Sequence, residues 1–262
     1  MPPPPRNAQA SQTPRGDGAR PARWEDGAVA KVRTRRRAAP AGAVVALVLA
    51  AACSSGGGAA VTPRMPVSAK PFALAEVARR VGLDRVMVSD HGGVTVTTGG
   101  DPDPWLDPVA MEAVTDQVAR TLSSADPAGR GAYHAAAAAF RAQLGALDID
   151  YRSSLADCAR HDIVAADRAL ARTGSRYGFT VHAATDPGVA EVVKAMGISV
   201  VFAEPGVPAG PVEAVAQATG TRVDTLDTTV ERTVEETRRG ATYLALMGDN
   251  LDKLRRALAC AS

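Results

Sequence analysis

The chain has 262 residues, 46% of them hydrophobic but only 4% aromatic, and a formal net charge of +2. That length builds one large domain or two small ones, with a core of Ala, Val and Leu rather than rings. Nine of the 30 basic and three of the 28 acidic residues fall in residues 1–52, leaving 21 basic against 25 acidic side chains beyond them, net −4, and no basic surface for nucleic acid.

Residues 1–31 are rich in Pro, Arg, Gly and Ala without apolar periodicity, a composition that stays disordered. The basic run Lys31–Arg37 precedes an apolar run from Ala41 to Ala52 that is too short to span a bilayer. Basic, apolar and small residues in that order form an export signal. Leu49-Ala50-Ala51-Ala52 before Cys53, and Ser54-Ser55-Gly56-Gly57-Gly58 after it, resemble a bacterial lipobox. The resemblance implies a lipid on Cys53 and the extracytoplasmic face of a bacterial cell membrane. Residues 1–52 are thus leader plus signal peptide, and 53–70 read as a flexible tether. In an exported domain the remaining cysteines, Cys158 and Cys260, are candidates for a disulfide, with two unpaired thiols as the alternative.

Beyond the tether, Phe72–Val81 reads as a helix stopped by Gly82. Arg85–Ser89 is a short strand, and Val94–Thr98 a second one before Gly99-Gly100. The stretch Asp101-Pro102-Asp103-Pro104-Trp105-Leu106-Asp107-Pro108 is neither helix interior nor central strand, because each proline fixes φ and removes a donor. It reads as a rigid loop holding carboxylates, with Pro108 in the first turn of a helix over Val109–Leu122. Asp126-Pro127 opens the longest helix. Its apolar seam, Tyr133, Ala137, Phe140, Leu144, Leu147, Tyr151 and Leu155, recurs at alternating three- and four-residue spacing. A helix of about 25 residues is nearly 40 Å long and suits a strut between two lobes; a coiled-coil dimer seam is the alternative.

The remainder alternates strand and helix. Strands at 162–166, 179–183, 198–203 and 222–226 are separated by helices at 168–177, 187–196 (capped by Asp186) and 211–219, and a last helix spans 242–258. That alternation predicts a parallel sheet with both faces covered. Ligands bind outside the carboxyl ends of such strands. Asp167, Glu204 and Asp227 follow three of them directly.

These residues in this order resemble a family. Asp-Pro-x-x-Trp-Leu-Asp-Pro, the long helix, Asp162-Ile163-Val164, Tyr177-Gly178, Val201-Phe202-Ala203-Glu204-Pro205, Thr225-Leu226-Asp227 and Tyr243–Leu251 are similar to the substrate-binding proteins of zinc and manganese ABC transporters, the ZnuA- and TroA-like proteins. The resemblance covers about Phe72 to Cys260. It implies an α/β, two-lobed periplasmic-binding-protein-like fold: a truncated N-terminal lobe (71–126), a rigid linking helix (127–157) and a C-terminal lobe with a parallel sheet (158–262). It also implies one divalent metal ion, zinc or manganese, held between the lobes of a monomer and delivered to an ABC permease.

In that family the metal ligands are His, His, His or Glu, and Asp or Glu. Here Asp103 stands at the second position, Asp167 at the third and Asp227 at the fourth. The first has no clear counterpart, because this chain crosses a half-lobe's worth of sequence in about fifteen residues; His91 is the residue that falls there. Glu204 matches a Glu-Pro motif that the family does not use as a ligand. Zinc favours nitrogen and sulfur, whereas carboxylates suit harder ions. Converging aspartates without a cation would raise at least one pKa. The alternative is a degenerate relative that has lost metal capture and acts as an accessory or interaction lipoprotein. An enzyme is not indicated, for the chain shows no Ser/His/Asp set, phosphate-cradling glycine loop or Cys/His cluster.

Overall fold

The computed structural model describes residues 63–100, 102–228 and 231–261. The expected signal peptide and Cys53 lie outside them. The N-terminal half is built on β1 (Met65–Ser68), with β2 (Val86–Ser89) on one side and β3 (Val94–Thr95) on the other, all parallel. Helix α1 (Phe72–Gly82) joins β1 to β2 and buries Leu74, Val77 and Val81.

Strand β1 corrects the flexible tether expected over 53–70. Val67 is fully buried, but a strand of four residues containing a proline leaves little trace in the sequence. Pro66 fits because of its register. Ser68 O accepts from Val96 N, so the position two residues earlier faces the same side. β3 begins only opposite Val67, so the missing N–H of Pro66 costs no ladder bond. Strand β3 is shorter than the expected 94–98, because β1 ends at Ser68 and Thr97 and Thr98 have no strand beside them.

The chain passes from β2 across β1 to β3 in four residues, 90–93. A parallel crossover ordinarily needs a dozen or more. Gly93 makes this possible: its φ is +73°, and a Cβ there would stand 2.0 Å from the carbonyl oxygen of Pro66. Ser68 Oγ donates to Asp90 O at 3.2 Å and ties the crossing to β1.

Helix α2 (Pro108–Ala125) starts where the proline predicts, with Asp107 accepting from Val109 N at 3.0 Å. A 3-10 turn, Pro127–Gly129, precedes α3 (Arg130–Ser154). The seam of α3 is buried from Tyr133 to Tyr151. It packs on α1 and α2 in one half and on α8 (Tyr243–Leu258) in the other. At 25 residues the helix is about 37 Å long, and one continuous apolar core runs along it.

The C-terminal half contains β4 (Asp162–Ala165), α4 (Ala171–Tyr177), β5 (Thr180–Ala183), α5 (Val189–Ala195), β6 (Val200–Ala203), α6 (Gly210–Thr219), β7 (Arg222–Thr225) and α7 (Val234–Arg238) before α8. The four strands are parallel in the order β5-β4-β6-β7. Helix α5 is not capped by Asp186. That carboxylate instead accepts from Ala183 N at 2.8 Å and from Arg168 at 2.7 Å, and Gly188 occupies the cap. The Cys158–Cys260 disulfide is formed and joins the two ends of this half across 102 residues of sequence. The architecture is the two-lobed α/β fold expected, with a short first lobe.

Candidate functional site

Register determines which acids meet. Val164 pairs with Val201 and Ala203 with Thr225, so the chain leaves β4, β6 and β7 at one level. Asp167, Glu204 and Asp227 follow at neighbouring strand ends, as the alternation predicts.

Glu204 is the buried member, at 6% exposure. Burial pushes its carboxyl up to about 7; the nearby Asp167 and Asp103 carboxylates add to the rise, and the Asp167 N–H opposes it. Its side chain also hydrogen-bonds that of Asp167. Glu204 and Asp167 therefore form a hydrogen-bonded carboxyl pair with Asp103 close by. Glu204 Oε1 is buried and makes no hydrogen bond among the described residues. Asp167 is exposed, and its Oδ1 accepts from Ala169 N at 2.7 Å.

Asp227 is engaged elsewhere. It is 4% exposed, and its backbone is gripped on both sides by Asn250 of α8: Asp227 N donates to Oδ1 at 2.9 Å, and Nδ2 donates to Asp227 O at 2.6 Å. Its carboxyl hydrogen-bonds Glu236 of α7. Burial works against Glu236 ionising, but bonds from Thr233 and Asp227, with the charge of Arg239, outweigh it and hold the carboxyl below its usual range. Glu236 was not a candidate from sequence. The signal for it is Thr233-x-x-Glu236, a capping box whose bonds are both present in α7.

The acids therefore form two pairs, Asp167–Glu204 with Asp103 nearby, and Asp227–Glu236. Among the described residues, no three His, Cys, Asp or Glu side chains are grouped so as to hold a metal ion. His91 sits exposed in the β2–β3 crossing, its carbonyl accepting from Ser89 Oγ at 2.8 Å.

The loop carrying Asp103 is fastened along its second half. Tyr243 OH donates to Trp105 O at 2.7 Å, Thr173 Oγ1 to Leu106 O, and Arg176 Nε to Asp107 at 2.8 Å. Glu76 of α1 accepts from Tyr243 N, the first amide of α8, at 2.7 Å, and Tyr151 OH of α3 donates to Met247 O at 2.8 Å. These bonds clasp the two halves, so Trp105-Leu106-Asp107-Pro108 is an anchor and Asp103 projects from a fixed base. Tyr243 is fully buried. Tyr243→Phe strands the Trp105 carbonyl and is expected to cost about 1–3 kcal/mol in a denaturant melt, with little change in secondary structure.

Comparison with known proteins agrees with this architecture. The family model described as zinc-uptake complex component A periplasmic (ZnuA) matches residues 64–257. The zinc-binding protein AdcA of Streptococcus pyogenes is 26% identical over 167 residues, 59% of this chain and 32% of that protein. The zinc-binding lipoprotein AdcA of Streptococcus pneumoniae is 25% identical over 179 residues, 64% of this chain and 36% of that protein. The chain thus spans about a third of the length of these relatives. In fold it is similar to the Zn(II)-bound ZnuA-like domain of Streptococcus pneumoniae AdcA, with TM-score 0.65, 17% identity and coverage of 75% of this chain and 99% of that one. It is similar also to the laminin-binding protein Lbp of Streptococcus pyogenes, with TM-score 0.67, 18% identity and coverage of 75% and 100%. The match spans well over half of the chain, and the chain belongs to the family of zinc-uptake complex component A periplasmic proteins, ZnuA.

Proposed function

We propose that the protein is a lipid-anchored, extracytoplasmic solute-binding protein that captures a divalent metal ion, zinc or manganese, as a monomer and delivers it to an ABC permease. The observation that carries this reading is the buried Glu204, its carboxyl raised by burial and hydrogen-bonded to Asp167 beside Asp103, at the carboxyl ends of the sheet in a fold of this family. An arriving cation replaces the Glu204 proton and offsets the repulsion among the acids. Family membership and the zinc-binding relatives support metal as the cargo. The Cys53 context supports the lipid anchor, and the anchor supports the location. Residues 1–52 are the leader, 53–64 the tether, and the lobes meet along 127–157.

Asp103, Asp167 and Glu204 are not grouped as a metal site in this structure; drawn together on an ion, their carboxylates would bind zinc weakly and favour harder ions. Asp103→His restores an imidazole at the position where the resemblance calls for one. It is expected to tighten zinc binding at least about tenfold in a calorimetric titration. No gain would mean that Asp103 and Asp167 do not face a common ion.

Two observations favour the second reading, a degenerate relative acting as an accessory or interaction lipoprotein. Asp227 is turned to Glu236, and His91 lies in a crossing four residues long. On that reading the acids are a structural remnant and no ion binds.

A further inference from the structure

A cavity of about 600 Å³ opens where the start of α2, the end of α3 and helix α4 meet, lined by Arg152, Arg172, Ser175, Arg176 and Asp107 among others. Its lining carries three guanidinium groups and one carboxylate. None of Asp103, Asp167 and Glu204 lines it.

The one carboxylate is already occupied. Asp107 is buried; its Oδ1 accepts from Val109 N, and its Oδ2 from Arg176 Nε at 2.8 Å. Arg152 is held in the same way, its Nε donating to Asp148 Oδ2 at 2.8 Å. The other oxygen of Asp148 accepts from Tyr177 OH at 2.9 Å. Both guanidinium groups are thus fixed through Nε, and their terminal nitrogens make no hydrogen bond among the described residues.

Helix electrostatics accounts for two of the three arginines. Arg152 and Arg176 stand in the last turns of α3 and α4, where a cation suits the helix dipole. Arg172 stands in the first turn of α4, where the dipole opposes it. It also precedes Arg176 by four residues, a spacing at which like charges repel. The cluster therefore gathers charge against local preference, as a binding site does.

We infer that this cavity binds a phosphate-bearing anion through the terminal nitrogens of Arg152 and Arg176, with Arg172 as the third cation. A guanidinium fork matches the oxygens of phosphate, and a fork already fixed through Nε loses little freedom on binding. The Ser175 hydroxyl lines the same cavity and offers a further donor. The first amides of α2 are taken by Asp107, so side chains and not a helix terminus hold the ligand. The site does not depend on metal capture.

The test is titration of the Cys53→Ser protein, freed of divalent ions with chelator, at constant ionic strength. Calorimetry with inorganic phosphate and with glycerol phosphate probes a free anion. Sedimentation with vesicles of phosphatidic acid, beside vesicles of phosphatidylcholine, probes a lipid headgroup. Saturable binding of a soluble anion assigns a free ligand, and binding to phosphatidic acid vesicles alone assigns a headgroup. In either case Arg172→Gln should weaken binding about tenfold. Arg152→Lys keeps the charge but loses the fork and should weaken it several-fold. Arg130→Gln, exposed at the opposite end of α3 from Arg152, should leave it unchanged. The basic run Lys31–Arg37 is common to all variants, so the differences among them report on the cavity. Arg176 is left intact, because its loss would strand the buried Asp107. Arg152 and Arg172 are exposed, so folding is retained, which circular dichroism checks. If Arg152→Lys does not fold, Arg172→Gln decides. No saturable binding of any of these probes, or equal affinities in Arg172→Gln and Arg130→Gln, overturns the assignment.

Discussion

Replacing both Cys158 and Cys260 by serine is expected to lower stability by about 4–5 kcal/mol, the largest single loss that the structure allows us to foresee. The bridge closes a loop across 102 residues of sequence, and the entropy withheld from the unfolded chain grows with loop length. It also ties the residues after α3 to the end of α8, where Ala159 N donates to Ala259 O and Arg160 N to Leu258 O. Without it, the helix clasping both halves is free to fray from its carboxyl end. Denaturant melts with and without reductant measure the effect. The parent should lose most of this stability in reductant, while the double serine variant should show the same low midpoint in both conditions. A parent indifferent to reductant would contradict the prediction.

The second large effect concerns Glu204 and has a definite sign. Its folded pKa is about 7, above the ordinary value of roughly 4.3 in an unfolded chain. Between those values the folded state binds the extra proton, so stability falls as pH rises through this window. Full development of the shift corresponds to about 3 kcal/mol lost by neutral pH and above. Glu204→Gln keeps the shape and removes the charge. It is expected to match the parent near pH 4, exceed it by up to about 3 kcal/mol at pH 8, and flatten the profile between. Urea melts across that range read the difference. A variant less stable than the parent at pH 8 would show that the ionised carboxylate is satisfied in the fold.

Much of this was legible before the structure. Pro108 marked the start of α2, because a proline fits the first turn of a helix and is intelligible locally. The seam of α3 was readable because 25 residues give its period room to repeat. The alternation from β4 to β7 placed Asp167, Glu204 and Asp227 at strand ends, since parallel topology puts every loop after a strand on one edge. What escaped was short or long-range. Strand β1 has four residues and a proline whose tolerance depends on where β3 begins. Helix α7 has five residues, and only the Thr233–Glu236 box announces it. That Asp227 pairs with Glu236 instead of joining Asp167 follows from where α7 lands, which no local pattern encodes. Glu204 stood in the shadow of the aspartates. Its importance comes from burial at 6% exposure, a property of the packed chain.

The central proposal is that the acids at the ends of β4 and β6, with Asp103, take up a divalent cation; it rests on the fold and on the buried Glu204 bonded to Asp167. The most direct measurement is calorimetric titration of the Cys53→Ser protein with zinc and with manganese, beside the same titration of Asp167→Asn. The account predicts one ion bound per chain, a proton released as it binds, and loss of the binding heat in Asp167→Asn. Absence of both heat and thermal stabilisation with either ion, or binding unchanged in Asp167→Asn, would contradict it.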